Sequence, residues 1–347
     1  MVGLWLSQSQ SSFNLERTTY GNAHYINDVL ENYFRYVGET NRVSLSLTGR
    51  GGYLNRIVAP SGTDEPFYYA IEHHYGASDH EVFNDWGIGV PGVMLITWPD
   101  NYYHTSEDRA SHCDPTQLRR CCVISAASAY TIASADEKMV RRMAGEVFTN
   151  GSRRIGQQAA RAFDQLSKAT AENFSSEYKK CRNYIMAAKI NEIETLGTLT
   201  ELAPGNNDVI EYINDKTKLI DALANNQAAG IDQLMKSMAK ELGLKEPGIK
   251  PDKLEKKAMS VIPKETALVK ANGYSGYRSA LSSMTSDNAM KYRSAIGNTS
   301  ELQRLCNGKH NALDIKILLD AEYERETDLE VLLDYLQALK DVGLITF

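Results

Sequence analysis

The feature that most constrains the fold of this chain is a change of pattern near residue 150. Before it, short apolar or alternating runs of strand length are interleaved with segments whose apolar residues recur at helical spacing. After it, nearly every segment has helical spacing and ends at a polar stretch with Gly or Pro. Because strands alternating with helices are typical of α/β domains, we predict a mostly parallel sheet with flanking helices over 1–150. An all-α module follows over 151–347, with a helical hairpin subdomain at 305–347.

Three runs in the first part have the length of strands. MVGLWLS at the start of the sequence and VPGVMLITW (90–98) are almost continuously apolar, as strands buried on both faces are. RVSLSLT (42–48) alternates apolar and polar residues, which is the period of a strand with one buried face. These three runs are the predicted strands of the α/β domain.

Helix signals lie between and after these runs. From about Asn22 to Val37, apolar residues recur at the spacing of one helical face. SDHEVFNDWG predicts a short helix that Gly87 ends. Asp114 followed by Pro115 is a typical helix start, because Asp caps the first backbone N–H groups and Pro fits the first turn. A helix rich in small residues is therefore predicted to begin there.

The charge balance limits the classes of partner. The chain has 38 Lys and Arg against 44 Asp and Glu, a formal net charge of -6, which argues against nucleic-acid binding through phosphate neutralisation. Residues 309–347 have four basic and nine acidic side chains, so packing or a protein contact explains this segment better than a DNA-reading helix. No apolar run approaches the roughly 18 residues of a membrane span. We expect no nucleic-acid partner and no membrane span in this chain.

Residues 76–109 contain two histidines at positions where a ligand could bind. Asp79 and His80 open the predicted short helix, and His104 follows a strand-like run at its C-terminal end. Open α/β sheets place ligand-binding residues at that end of their strands. Asp108, four residues after His104, can reach back towards an imidazole nitrogen. Since imidazole and carboxylate groups are zinc ligands, this stretch is a candidate part of a zinc site.

Four motifs in this region carry a resemblance to a known family. SDHEVF, GIGVPGVMLI, YHTSEDR and DPTQL occur in this order and at plausible separations. Together they resemble the C-terminal part of the catalytic domain of the co-catalytic zinc exopeptidases, which include aminopeptidase Y, bacterial leucyl aminopeptidases and the glutaminyl cyclases. That family has a Ser-Asp-His or Asp-Asp-His helix start, a Gly-x-Pro strand entry and a His-Thr-x-x-Asp loop. The resemblance covers about residues 1–135 and implies a zinc metallopeptidase that acts on peptides.

The resemblance also implies roles for individual residues. His104 matches the family's final zinc-ligand histidine, and Asp79 matches a catalytic-site carboxylate in the hydrogen-bond network. Asp108 matches the carboxylate of the histidine loop and would support the ligand. Tyr102 or Tyr103 could face the substrate, although aromatic packing explains them equally well. The complete family enzyme holds two zinc ions, which activate the water that hydrolyses the N-terminal peptide bond.

The sequence departs from the family in its metal ligands. The family's other ligands (an earlier His, a bridging Asp, a Glu and a further Asp) and its general-base Glu come earlier than anything matched here. The further Asp usually precedes a Met-(Val/Ile)-Gly strand end, and this chain begins with MVG. We therefore interpret Met1 as an internal residue of a longer protein, of which this chain lacks the N-terminal part. The chain alone is expected to bind zinc weakly and to be inactive.

Two alternatives stay open. One is a non-catalytic peptidase-like protein whose helical module binds a partner, and the other is a glutaminyl-cyclase-like acyltransferase that uses one zinc. Family resemblance favours a secreted or periplasmic location. We expect His80 to form a hydrogen bond within the fold. The remaining histidines are interpreted as surface or hydrogen-bonded residues: His24, His73, His74, His112 and His310.

Overall fold

The computed structural model describes residues 12–46, 57–284 and 286–347. Three strands lie in the described part of the first hundred residues: β1 (Ser12–Glu16), β2 (Tyr69–Glu72) and β3 (Met94–Trp98). They form one sheet in the order β2-β1-β3, with β1 parallel to β2 and antiparallel to β3. The predicted run MVGLWLS lies outside the described residues.

This small sheet corrects the predicted fold class in part. Within the described residues the sheet is mixed, so the predicted α/β arrangement with a mostly parallel sheet is not found there. A continuous apolar run such as VPGVMLITW indicates that a strand is buried, but it does not indicate the direction in which the strand runs. That run does contain a strand, β3, which pairs antiparallel with β1.

Helix α1 (Ile26–Ser46) extends further than its apolar pattern predicts. It includes residues 42–46, so the strand predicted from RVSLSLT is wrong over those residues, and 47–48 lie outside the described part. A helix that has already nucleated adds residues at low cost, and no Pro interrupts α1. A short alternating run at its end therefore does not decide the local structure.

Two further helices lie where the sequence predicts them. Helix α2 (His80–Asn84) lies within SDHEVFNDWG, and helix α3 (Pro115–Ala133) begins where Asp114 and Pro115 predict. The Asp114 carboxylate accepts hydrogen bonds from the backbone N–H groups of Thr116 and Gln117, at 3.3 and 3.2 Å. The sheet packs on α1 and α3 through one apolar core: Phe13, Leu15, Leu30, Phe34, Val37, Ile57, Phe67, Leu95, Cys121 and Ile124.

Three long helices follow and pack against one another. They are α4 (Glu137–Ser167), α5 (Phe174–Thr198) and α6 (Asn207–Glu241), with 31, 25 and 35 residues. Tyr25 and Val29, at the start of α1, are buried in the core of this bundle. The bundle is therefore packed directly against the sheet-containing part of the chain.

Short elements complete the chain around a second helical core. Trp86, just after α2, is buried in this core. The last two helices of the chain contact each other within 305–347, where the hairpin subdomain stays a prediction, and two short strands pair antiparallel. The elements are α7 (Lys253–Met259), β4 (Lys264–Glu265), α8 (Ala267–Lys270), α9 (Arg278–Leu281), α10 (Ser286–Ile296), α11 (Thr299–Leu305), α12 (Ala312–Tyr323), α13 (Leu329–Asp341) and β5 (Ile345–Thr346).

The helical character of the second part is confirmed over the residues that the structure describes. The domain boundary at residue 150 stays a prediction, and helix α4 runs continuously through that position. Among the described residues, no helix combines the length and the apolar composition that crossing a membrane requires.

Candidate metal centre

The parallel pairing of β1 and β2 brings two potential metal ligands to one edge of the sheet. Glu16 is the last residue of β1, and His74 follows β2 by two residues. The carboxyl ends of parallel strands meet at the same edge, so these side chains come together although they are far apart in sequence. The Glu16 Oε1 atom lies 3.1 Å from Nδ1 of His74.

His80 joins this pair from the first turn of α2. Its Nε2 lies 3.1 Å from the same Oε1 atom of Glu16. Glu16, His74 and His80 are all buried, with exposed fractions of 0%, 5% and 8%. Each offers one ligand atom, and these atoms lie within 4.8 Å of one another. We call these three residues the Glu16 cluster.

The turn between β2 and α2 fixes the Glu16 carboxylate from the backbone side. The N–H groups of Tyr75 and Gly76 donate to Glu16 Oε1, at 2.8 and 2.7 Å. Gly76 has a φ of 79°, a left-handed conformation that is readily available only to glycine. The turn thus aims two N–H groups at one carboxylate oxygen.

A further carboxylate holds the far side of the His74 ring. The Nε2 atom of His74 lies 2.5 Å from Glu81 Oε1, and Glu81 in turn pairs with Arg304 of α11 at 3.4 Å. The hydrogen bond with His74 lowers the pKa of Glu81 to about 2, against the opposing effect of burial, and the nearby charges of His74 and Arg304 lower it further. Glu81 is therefore ionised at neutral pH and fixes the orientation of the His74 ring.

Two polar atoms of the Glu16 cluster have no hydrogen-bond partner among the residues that the structure describes. They are the second carboxylate oxygen of Glu16, Oε2, and the second ring nitrogen of His80, Nδ1, and both are buried. A buried polar atom without a partner carries a desolvation cost. Two imidazoles and one carboxylate are also a donor set that binds zinc in proteins. The Glu16 cluster therefore has the ligand types of a metal site, and Glu16 Oε2 is a buried oxygen that a metal could bind.

His104 lies in a separate loop. It is exposed, has a φ of 59°, and its ring stacks on Tyr103 with 3.8 Å between the ring centroids. Asp100 holds this loop, because its Oδ1 accepts hydrogen bonds from the N–H groups of Tyr102 and Tyr103 at 2.8 and 3.1 Å. Tyr102 stacks on His112.

The structure does not gather the predicted site residues into one group. Asp79 is exposed at the N-cap of α2, where its side chain makes no capping hydrogen bond. Asp108 is exposed as well, and its N–H donates to the carbonyl oxygen of Thr105 at 3.3 Å. In the described part of the chain, the cluster of potential metal ligands contains neither these carboxylates nor His104. The described residues therefore do not form the two-zinc ligand set that the family resemblance implies.

Comparison with protein families identifies the segment that carries these residues. The family model of peptidase family M28 matches residues 5–129. Residues 5–129 are therefore similar to peptidase family M28, and we call them the M28 segment. The match confirms the resemblance to the co-catalytic zinc exopeptidases, and this similarity supports a general function as a zinc-dependent peptidase. Comparisons with curated proteins and with solved structures gave no match.

Sequence reasoning missed two members of the Glu16 cluster within the M28 segment. Glu16 had no local signal, because it is one acidic residue at the end of a strand that was not predicted. His74 was interpreted as an ordinary surface or hydrogen-bonded histidine. The available signal was the spacing of His74 and His80 on either side of Gly76, since a glycine turn can point two nearby imidazoles at one place. The prediction that His80 bonds within the fold is confirmed by its contact with Glu16.

Proposed function

We propose that this protein is a zinc-dependent exopeptidase of the aminopeptidase type, in which the M28 segment supplies His104 as a ligand of the catalytic zinc. The observation that supports this is the M28 match over residues 5–129, which includes both the Ser-Asp-His helix start and the His-Thr-x-x-Asp loop. The remaining ligands would come from outside the described residues. Asp79 and Asp108 would orient the ligands, and a secreted or periplasmic location would follow from the family.

The geometry of the histidine loop supports this role for His104. A ligand histidine must reach a metal held by other elements, and His104 is exposed at the tip of a loop that follows strand β3. Its left-handed backbone is held by hydrogen bonds on both sides, from Asp100 before it and from the Thr105 hydroxyl to the Tyr102 carbonyl oxygen after it. Strained non-glycine residues of this kind are concentrated at functional sites.

Substitution of His104 tests the proposal. In the protein expressed from its full coding sequence, including any codons upstream of Met1, His104→Ala is expected to lower hydrolysis of aminoacyl-anilides by more than about 100-fold, since even residues that only support a zinc ligand contribute 10- to 100-fold. His112→Ala is the matched control, because His112 belongs to the same loop region and stacks on Tyr102. Equal activity of the His104→Ala variant and the parent would refute the assignment.

A blocked substrate tests the exopeptidase part of the proposal. An aminopeptidase recognises a free N-terminal amine, so an N-acetylated anilide is expected to be hydrolysed at least about 100-fold more slowly than the free form, a factor equivalent to about 2.7 kcal/mol of transition-state stabilisation. Equal rates on the two substrates would contradict an aminopeptidase. No hydrolysis of either substrate by the full-length protein would favour the non-catalytic alternative.

A further inference from the structure

We propose that Glu16, His74 and His80 form a zinc-binding site of their own, built without His104. The first observation is the distance between the ligand atoms. Zinc bonds to imidazole nitrogen at about 2.0–2.1 Å and to carboxylate oxygen at about 2.0–2.2 Å, which places tetrahedral ligand atoms roughly 3.3 Å apart. The two Oε1–nitrogen distances in the Glu16 cluster are both 3.1 Å. Two of the three separations thus match a zinc coordination shell, and all three ligand atoms lie within 4.8 Å of one another.

The charge and burial of Glu16 are the second observation. Its side chain is fully buried, and its ion-pair partners among the described residues are the two imidazoles, not a lysine or arginine. A buried carboxylate needs a compensating positive charge, and a carboxylate oxygen without a hydrogen bond adds to the cost. A divalent cation beside Glu16 would supply that charge and would give Oε2 a partner.

The surroundings of His74 are the third observation. A metal-ligating histidine usually donates its other ring N–H to a carboxylate or carbonyl group, which fixes the ring and makes it a better ligand. The Nδ1 atom of His74 faces Glu16 and also lies 3.2 Å from the backbone carbonyl oxygen of Arg17, a contact that a bound metal would replace. Its Nε2 contacts Glu81, which Arg304 holds in turn. This arrangement orients the ring as a metal ligand requires.

The donor types select the metal. Two imidazoles and a carboxylate favour zinc or another late first-row divalent ion over magnesium or calcium, which prefer oxygen ligands. The three ligands come from the end of β1, the segment after β2 and the start of α2. A bound ion would therefore join three elements of the M28 segment and raise its thermal stability. The sequence motifs predict that this chain alone binds zinc weakly, so a zinc ion held by the Glu16 cluster goes beyond that prediction. The proposed zinc site does not depend on the proposed peptidase activity.

Metal analysis of the 347-residue chain tests the proposal. After chelator treatment, addition of zinc chloride and dialysis, the chain is expected to keep about one zinc per molecule by mass spectrometry, and its Tm is expected to rise with zinc. Glu16→Gln and His80→Ala should lose the bound zinc and the rise in Tm. His104→Ala and His73→Ala, which change histidines outside the cluster, should keep both. No bound zinc in the parent, or zinc lost only in His104→Ala, would overturn the proposal.

Two further measurements keep the test decisive if the buried substitutions prevent folding. Glu81, whose side chain is 36% exposed, tolerates substitution better, and Glu81→Gln should weaken zinc binding by about 10- to 100-fold while the protein stays folded. X-ray absorption of the zinc-loaded parent should show two imidazole ligands and one carboxylate. A zinc ion with fewer than two imidazole ligands would mean that Glu16, His74 and His80 form only a hydrogen-bonded network. Because neither readout is peptidase activity, this proposal and the proposed function can fail separately.

Discussion

At the scale of single residues, Glu322 shows how the fold changes the ionisation of a carboxyl group. It lies in α12, is buried, and accepts a hydrogen bond from the backbone N–H of Tyr20 at 3.2 Å. Burial raises the pKa of Glu322 well above its ordinary value of 4.5, and the nearby carboxylate of Glu301 raises it further. The folded state therefore favours protonated Glu322. Its contribution to stability is present at acidic pH and is lost as pH rises above about 4.5.

Replacing Glu322 with its neutral isostere should remove this pH dependence. Glutamine keeps an oxygen for the Tyr20 N–H and has no charge to bury, so Glu322→Gln is expected to stabilise the protein more at pH 8 than at pH 5. The expected sign follows from the direction of the pKa shift, because charging Glu322 costs the folded state more than the unfolded state. Urea denaturation at both pH values measures the free energy of unfolding. Glu326→Gln, at an exposed position nearby, is the control, and an equal effect of Glu322→Gln at both pH values would contradict the prediction.

At the scale of elements, the turn between β2 and α2 depends on Gly76. This residue has a φ of 79°, and its N–H donates to Glu16 Oε1 at 2.7 Å. A Cβ atom at this position would lie 3.1 Å from the side-chain Cδ of Glu81. Both the backbone conformation and the space around it therefore select glycine.

Substitution at this turn should destabilise the protein, and a matched substitution in a helix should not. Gly76→Ala is expected to lower the free energy of unfolding by about 1–2 kcal/mol, the cost of a left-handed alanine. Gly145→Ala, inside α4 where nothing lies within 4 Å of the added Cβ, should raise it by about 0.5–1 kcal/mol through helix propensity. Thermal unfolding of the two variants measures whether each substitution lowers or raises the stability. A neutral Gly76→Ala would show that the turn can relax.

Local chemistry explains which elements the sequence predicts. Asp114 and Pro115 specify the start of α3 through contacts within four residues, and the apolar spacing of α1 needs no distant partner. The direction of β3, in contrast, is set by its pairing with β1, which is distant in sequence. The same limit applies to the Glu16 cluster, because Glu16 and His74 are 58 positions apart and meet only through strand pairing. The His104 motif could be recognised because its residues are consecutive.

At the scale of the whole molecule, one arginine joins the M28 segment to the helical bundle. Arg154 of α4 bonds Asp28 of α1 at 2.9 Å and Glu31 of α1 at 3.2 Å, and it makes two bonds of 2.6 Å to Glu192 of α5. The three carboxylates are almost fully buried, with side-chain exposures of 1–2%. These bonds cross the surface where α1 packs on the bundle, so the two parts of the chain share this charge network.

Removing this arginine should therefore destabilise both parts together. Arg154→Met keeps most of the side-chain volume but removes the ion-pair partner of the buried Asp28 and Glu192, whereas Glu31 still pairs with other arginines: Arg17, Arg35 and Arg153. Breaking a buried ion pair in this way costs about 3–5 kcal/mol, whereas an exposed pair contributes about 0–1 kcal/mol. Arg142→Met is the matched control in the same helix, because Arg142 is 72% exposed and pairs with Glu146.

Urea denaturation followed by both tryptophan fluorescence and circular dichroism is expected to show coincident transitions, shifted strongly only in Arg154→Met. Loss of helical signal without a change in tryptophan fluorescence would mean that the bundle unfolds independently of the regions around Trp86, in the second helical core, and Trp98, in β3.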